Sequence, residues 1–290
     1  MPELPEVETV RRVLLNQIVN LKIIDIDIRY PNIIDGNIEE FKDYIINKTI
    51  TNISRLGKFL IFNLDKGNLI SHLRMEGKYF YLPKDSLDNK HIHVIFYLSN
   101  GYMLCYQDVR KFGRMSYKTD DDLYQTNPLS EVGFDLVLND TIDIDQVYEK
   151  LSNKRIPIKT ALLDQSIIAG LGNIYVDEVL YASHINPHKS SNNLSKEEVF
   201  NIIKESKRIL NLAIENKGTT IRSYTSSLGI TGNYQNFLLV HTKNHCPHCK
   251  TILKRDKING RTTYYCDSCQ RWKLYEKSCR NNRRNFKRKK

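Results

Sequence analysis

Four cysteines near the end of the 290-residue chain constrain its fold more than any other feature. Cys246, Cys249, Cys266 and Cys269 are spaced C-x2-C-x16-C-x2-C. Two thiol pairs at that spacing, joined by a short hairpin, bring four thiolates around one Zn2+ in a closed tetrahedral site, which is a structural metal. Within the connecting stretch, Asn259-Gly260 is a hairpin turn signal followed by the β-formers Thr262, Thr263, Tyr264 and Tyr265. Redox pairs are the alternative, but they do not call for two CxxC units at ribbon spacing. Disulfides are disfavoured because the acidic start, MPELPEVET, has no apolar h-region of an export signal. The expected compartment is therefore the cytoplasm. Cys105 lies in an alternating run and is expected to be a buried hydrophobe.

Upstream of the cysteines the chain changes character once. A short helix is signalled near Glu6–Leu15, with Pro5 at its first position. Ile24, Ile26 and Ile28 then alternate with Asp25 and Asp27, and strand-like runs follow at 58–64, 68–75, 78–82, 91–98 and 102–107. Ser99-Asn100-Gly101 reads as a type I′ hairpin. From about Thr141 the pattern is helical. Ser195 and Glu198 form a capping box ahead of the stripe Val199, Ile202, Ile203, Ile209, Leu210 and Ala213, which Gly218 closes. Another helix is expected from Asn173, after Gly170-Leu171-Gly172, and 218–237 reads as a loop. The fold class expected is α+β and multidomain: an N-terminal β-sandwich with an N-terminal helix (1–135), a helical domain (136–235), a zinc hairpin (236–270) and a tail (271–290). No apolar run approaches the ~18 residues of a membrane span, so no membrane partner is expected.

The net charge of +11 is unevenly placed. Residues 271–290 hold ten Lys and Arg against the single acid Glu276, which leaves +2 for the rest. Such a segment cannot bury enough apolar surface to order itself, although Trp272, Leu274 and Tyr275 could pack a first turn against the hairpin. It suits a polyanion partner, but any nucleic-acid site in the body must rest on placed residues.

Four features carry possible chemistry. Removal of Met1 would expose Pro2 as a secondary amine, and N-terminal amines titrate near ~7.7–8.0, so part of the population is nucleophilic at neutral pH. Glu3 beside it suits a general acid or base. The same residues also read as a plain helix start, with Pro5, Glu6 and Glu8 in its first turns. Lys58 reads as an edge lysine or a site cation. Gly170-Leu171-Gly172-Asn173 is a glycine turn whose helix N-terminus suits a phosphate. Arg110-Lys111-Phe112-Gly113 places two cations and an aromatic at a strand end, either an ordinary turn or a wedge for DNA.

Taken with these features, the segments MPELPEVETVRR, RLGKFLIF, ISHLRMEGKY, KHIHV, DVRKFG, AGLGNIYVDEVL, TTIRSYTSSLG and NGRTTYYCDSCQ resemble bacterial formamidopyrimidine-DNA glycosylases in order, to about Gln270. The resemblance implies a base-excision repair enzyme whose helical part is a helix–two-turn–helix. It implies that Pro2 attacks C1′ of a damaged nucleotide, that Glu3 acts as general acid in sugar opening, and that Lys58 assists β-elimination. The resemblance also implies that Glu6, in the matching PEVE, supports the site. Met75, Arg110 and Phe112 would fill the gap left by the flipped base, and Glu76 with the loop carrying Thr219, Thr220 and Tyr224 would cover that base. His91, Arg155, Lys159 and Asn173 fall at phosphate-side positions. Arg261, oriented by the zinc hairpin, would hold a phosphate and assist δ-elimination.

The expected substrate is double-stranded DNA with oxidised purines, and the expected state is a monomer on the bacterial nucleoid. Two departures stand out: Val109 occupies a position often held by Pro, and the tail has no counterpart. The related endonuclease VIII branch, which takes oxidised pyrimidines, is the rival; Leu4 and Phe112 favour the purine-directed branch. If Met1 stays, a non-catalytic zinc-dependent DNA-binding protein is the alternative.

Overall fold

Helix α1 (Leu4–Ile18) begins three residues into the chain and buries Leu4, Val7, Val10, Leu14 and Ile18. That spacing of three and four residues is one helical face, and it extends past the expected Leu15 end because Ile18 belongs to it. The computed structural model describes residues 1–84, 86, 89–219 and 231–271. Within it, α1 joins eight strands, β1 (Ile23–Ile28), β2 (Ile50–Leu56), β3 (Phe59–Leu64), β4 (Asn68–His72), β5 (Lys78–Pro83), β6 (Ile92–Leu98), β7 (Tyr102–Gln107) and β8 (Arg114–Lys118). They form two four-stranded antiparallel sheets, ordered β1-β6-β7-β5 and β2-β3-β4-β8. Their inner faces share one apolar core containing Val7, Leu14, Leu60, Phe62, Tyr79, Phe96 and Leu104. This is the expected sandwich with its helix. Cys105 is buried as expected.

Strand register gathers several turns at one end of the sandwich. Leu56 pairs with Phe59, so Gly57-Lys58 is a two-residue hairpin turn; Phe59 pairs with His72, and His72 with Arg114. In the other sheet Lys78 and Ile92 both pair with Gln107. Residues 73–77 and 108–113 are therefore crossovers between the two sheets, side by side, with Lys58 and His91 at the same end. Lys58 and Met75 lie in turns, beyond the strands expected to contain them.

Two local expectations fail for identifiable reasons. Ile24 is 49% exposed because the β1–β6 register shifts between Ile23 and Asp25, which puts Ile23 and Ile26 on the core face instead. Ser99–Gly101 is not a type I′ turn: Gly101 alone takes positive φ (+81°), and three residues separate β6 from β7. Asn259 and Gly260 both have positive φ (46° and 74°), as a type I′ turn requires.

The chain divides into two units that do not follow linear boundaries. The first contains Met1–Ile142, Gln165–Gly172 and Leu210–Phe237; the second contains Asp143–Asp164, Asn173–Ile209 and the residues from Leu238. Beside the linear boundaries expected at 135 and 235, this division is interleaved, with the zinc hairpin in the second unit. Gln165–Gly172 joins the sandwich unit because β9 (Phe134–Asp135) pairs in parallel with β10 (Ile168–Ala169). The helices that follow α1 are α2 (Ile38–Ile45) in the sandwich unit, and α3 (Ile144–Ser152), α4 (Ile158–Leu162) and α5 (Asn173–Ala182) in the second. The last described helix, α6 (Lys196–Glu215), starts in the second unit. Its capping box forms as expected: Ser195 N donates to Glu198 Oε2 at 2.8 Å and Glu198 N to Ser195 Oγ at 3.1 Å. The hairpin of β11 (Lys254–Ile258) and β12 (Arg261–Tyr265) completes this unit. No described helix is long and apolar enough to cross a membrane. The expectations for Thr220, Tyr224, Trp272, Leu274, Tyr275 and the tail lie outside the described residues.

Candidate active site and nucleic-acid interface

The N-terminus is built into the sandwich unit by three consecutive residues of the 165–172 segment. Leu4 N donates to Gly170 O at 3.1 Å. A Cβ at Gly170 (φ +93°) would meet Leu4 Cδ1 at 2.3 Å, and one at Gly172 would meet Glu3 Cδ at 2.2 Å. Between them, Leu171 O accepts from Lys58 Nζ at 2.7 Å and from Gln165 Nε2 at 2.9 Å. The glycines therefore make room for Leu4 and for the Glu3 carboxylate, a different task from the phosphate turn expected of them. Pro2, Glu3 and Lys58 are all buried. Glu3 is the N-cap, so Leu4 and not Pro5 takes the first helical position; Pro5, at the second, still loses only an N–H that has no helical acceptor.

Glu6 ties this corner to the base of the 219–237 loop. Its Oε2 accepts Glu3 N at 2.9 Å, and its Oε1 accepts Thr219 N at 2.7 Å and Thr219 Oγ1 at 3.0 Å. Thr219 is thereby committed to Glu6. The Lys58 turn is braced from the other side: Gly57 N donates to Asp135 Oδ2 at 2.8 Å, and Arg55 bridges Asp135, Gly57 O and Glu8. Burial alone would raise the Glu8 carboxyl, but hydrogen bonds from Arg11 and Arg12 and the charge of Arg55 bring it down to about 2. His72 is held neutral, lowered to about 3 by burial and then by the charges of Arg74 and Lys58. Its Nδ1 accepts Arg74 N at 2.9 Å and so fixes the turn that carries the half-buried Met75 and Glu76.

The neighbouring crossover presents Arg110 and Phe112. Phe112 is 48% exposed, and the Arg110 guanidinium lies over its ring at 4.8 Å. Gly77 and Gly113, one from each crossover, both approach the Tyr106 hydroxyl so closely that a Cβ on either would overlap it. The structure thus brings Lys58, Met75, Glu76, His91, Arg110 and Phe112 to one end of the sandwich, as strand register requires.

In the second unit the expected phosphate-side residues separate by burial. Arg155 and Arg261 are exposed, and Arg261 opens β12 next to the type I′ turn. Lys159 is a correction: it is fully buried and donates to Asp177 Oδ1 at 2.7 Å and Thr262 O at 2.9 Å, so its ammonium does not reach a phosphate. A buried ammonium needs this pairing, and Asp177 supplies it. Asn173 Nδ2 donates to the same Thr262 carbonyl at 3.0 Å. Asp177 also takes His241 Nδ1 at 2.8 Å, while Glu178 accepts the N–H groups of Leu239, Val240 and His241. The peptide that follows Arg261 is therefore pinned from α4 and α5.

The four expected metal ligands come together. Sγ atoms of Cys246, Cys249, Cys266 and Cys269 all lie within 4.8 Å of one another, with Cys246–Cys269 at 3.7 Å and Cys249–Cys266 at 3.4 Å. A tetrahedron with Zn–S bonds of ~2.3 Å has edges of about 3.8 Å, so the donor set and its size fit one Zn2+ with no open position. Tyr181 OH, 3.2 Å from Cys246 Sγ, is placed to donate to the thiolate.

Comparison with known proteins settles the family. Residues 1–115 match the formamidopyrimidine-DNA glycosylase N-terminal domain, 133–225 the formamidopyrimidine-DNA glycosylase H2TH domain and 245–271 the zinc finger found in FPG and IleRS. The chain is 44% identical over 273 residues to a formamidopyrimidine-DNA glycosylase of Streptococcus mutans, covering 93% of this chain and 100% of that one. It is 45% identical to one of Oceanobacillus iheyensis, covering 93% and 98%. A Lactococcus lactis mutant FPG bound to Fapy-dG containing DNA superposes with a TM-score of 0.88 at 40% identity, over 93% of this chain and all of that one. The Lactococcus lactis Fpg bound to abasic-site DNA gives 0.86. The chain belongs to the formamidopyrimidine-DNA glycosylase family.

Within a formamidopyrimidine-DNA glycosylase of this sequence, several supporting residues escape sequence reasoning. Asp108, Asp135, Asp177 and Glu178 are buried carboxylates whose partners lie far away in the chain or on backbone N–H groups. Asp108 alone left a signal, since an Asp heading a turn with glycine five residues on is a turn organiser. The zinc finger of this glycosylase is the part where spacing alone sufficed.

Proposed function

We propose that this chain is a bifunctional DNA glycosylase and AP lyase that removes oxidised purines, 8-oxoguanine and formamidopyrimidines, from double-stranded DNA. The observation that carries the reading is the convergence of Leu4, Glu3 and Lys58 on Gly170, Leu171 and Gly172. It supports a buried corner in which the Pro2 amine, once Met1 is removed, works with the Glu3 carboxyl and the Lys58 ammonium.

Removal of Met1 frees the Pro2 amine, which attacks C1′ as the bond to the damaged base breaks. Glu3 delivers a proton to the ring oxygen, the sugar opens, and an iminium joins Pro2 to C1′. Loss of a C2′ proton then expels the 3′ phosphate, and a second elimination expels the 5′ phosphate. Lys58 serves the first of these eliminations and Arg261 the second. Phe112, Arg110 and Met75 occupy the space the base vacates and offset part of the few kcal/mol that extrusion costs. His91, Arg155 and Asn173 serve the phosphate side, and Cys246, Cys249, Cys266 and Cys269 would hold a structural Zn2+ that fixes the hairpin carrying Arg261. Binding to DNA with damaged bases or abasic sites, which relatives display, is taken to involve a monomer in the bacterial cytoplasm.

Borohydride reduction during turnover should trap the protein on 8-oxoguanine duplexes. Pro2→Gly, or a tag left on the N-terminus, should abolish trapping. Normal trapping by a protein with a verified N-terminal extension would overturn the proposal.

A further inference from the structure

Asp108 takes no part in the chemistry above, yet five of its hydrogen bonds shape the crossover that carries Arg110 and Phe112. Its side chain is fully buried. Oδ1 accepts Arg110 N at 3.0 Å, and Oδ2 accepts Phe112 N at 2.9 Å and Gly113 N at 2.8 Å. Its carbonyl accepts Lys111 N at 3.2 Å, and its own N–H donates to His91 O at 3.0 Å. His93 Nε2 meets the same carbonyl at 2.8 Å.

The turn needs such a clamp. Lys111 holds φ +60°, a left-handed conformation that L residues other than glycine rarely adopt. Gly113 is pressed against the Tyr106 hydroxyl. Four successive N–H groups, apart from that of Val109, point inward at one residue instead of continuing a strand. The outcome is an exposed aromatic with a cation stacked on it, on a backbone bonded to Asp108 at four successive N–H groups.

We infer that Asp108 is a positioning residue, which holds residues 109–113 in the shape that makes Arg110 and Phe112 a wedge and locks that turn to His91. The inference rests on the proposed reading of the turn as the gap-filling element. An Asn side chain at this position keeps one oxygen for Phe112 and Gly113 but sets its amide hydrogens against the Arg110 N–H. An Ala side chain leaves all three N–H groups without the carboxylate.

The test follows base extrusion by stopped-flow fluorescence of 2-aminopurine placed beside a paired 8-oxoguanine, with borohydride trapping on an abasic site as the second readout. Asp108→Asn should slow extrusion about tenfold and Asp108→Ala about 100-fold, as expected for one and then several lost bonds to an ionised acceptor. Trapping on the abasic site should fall far less than extrusion. In a background carrying both Arg110→Ala and Phe112→Ala the Asp108→Asn penalty should shrink to about twofold or less, because neither wedge residue is left to position.

An undiminished penalty in that background would show a merely structural role and overturn the inference alone. Extrusion by Phe112→Ala at the parental rate would overturn the wedge reading and Asp108's role with it. Should Asp108→Ala fail to fold, Asp108→Asn with a parental melting temperature carries the same test: parental extrusion by it would refute the inference.

Discussion

Replacing Gly172 with alanine should disable the sugar opening that Glu3 serves, and with it iminium formation, while sparing DNA binding. The φ of Gly172 is not in the left-handed region, so alanine is acceptable to the backbone and the effect is one of contact. The added Cβ would stand 2.2 Å from Glu3 Cδ, 2.5 Å from Oε1 and 2.6 Å from Cγ. Ordinary contact begins near 3.4 Å, so the carboxyl must retreat by about 1 Å. Glu3 is also the N-cap of α1 and bonds through its N–H to Glu6, so the retreat falls on its side chain. A displacement of about 1 Å in a reacting group costs roughly 100-fold, or about 2.7 kcal/mol of barrier. Single-turnover borohydride trapping on 8-oxoguanine duplex at saturating enzyme would measure this, with duplex affinity followed in parallel. Gly101→Ala is the control: its φ of +81° is strained, but no atom lies within 4 Å, so it should lower stability and leave trapping unchanged. Trapping by Gly172→Ala at the parental rate would refute the contact reasoning. A loss of DNA affinity with normal trapping would instead support the phosphate-turn reading of Gly170–Gly172.

Three further outcomes are expected. The Glu8 carboxyl is lowered from 4.5 to about 2 in the folded protein, so its contribution to stability is complete above pH 4.5 and is lost as pH falls toward 2. Melting temperatures of parent and Glu8→Gln should therefore differ most above pH 5 and converge as pH falls toward 2; a constant difference would contradict the contacts of Glu8 with Arg11, Arg12 and Arg55 as its source. Cys249→Ser should weaken duplex binding by about tenfold or more while far-UV dichroism is largely kept, because the zinc hairpin holds Arg261 through Thr262 and the metal closes only that part of the chain; full affinity in a zinc-free sample would contradict it. Truncation after Gln270 should flatten the salt dependence of binding to undamaged duplex by about 0.9 in log–log slope for each phosphate the tail neutralises, with excision at saturating enzyme unchanged; an unaltered slope would remove the tail from the DNA.

Sequence disclosed those parts of this molecule whose physics is local. The cysteine spacing, the Asn259-Gly260 turn and the Ser195–Glu198 box each need only a few neighbouring residues, and each forms as expected. The strands β2 and β8 and helix α2 were not foreseen. Strand β2 reads as mixed polarity, Ile-Thr-Asn-Ile-Ser-Arg-Leu, because Arg55 is buried on Asp135, 80 residues away. Ile24 misled for the opposite reason: its alternation is regular in sequence, and a bulge imposed by the β6 partner turned it outward. Pro2, Glu3 and Lys58 could be singled out by residue chemistry, but only resemblance joined them. Their meeting place, 165–172, is brought in by a two-residue parallel bridge that leaves no periodic signal. Resemblance alone puts Lys159 on the phosphate side, and the Asp177 carboxylate that neutralises it lies 18 residues on.

The two segments proposed to carry the wedge are crossovers between sheets, five and six residues long between His72 and Lys78 and between Gln107 and Arg114. Packed sheets stand ~10 Å apart, so these segments must span a fixed distance and have little slack to share. A hairpin at a sheet edge can lengthen by growing outward, whereas an insertion here would push the sheets apart or bulge into the Tyr106 hydroxyl that both crossovers press upon. Diversification of this scaffold toward other damaged bases is thus channelled into side-chain replacement at the crossovers. Changes of length have room only elsewhere, for example in the three-residue loop at Ser99–Gly101 on the opposite end of the strands.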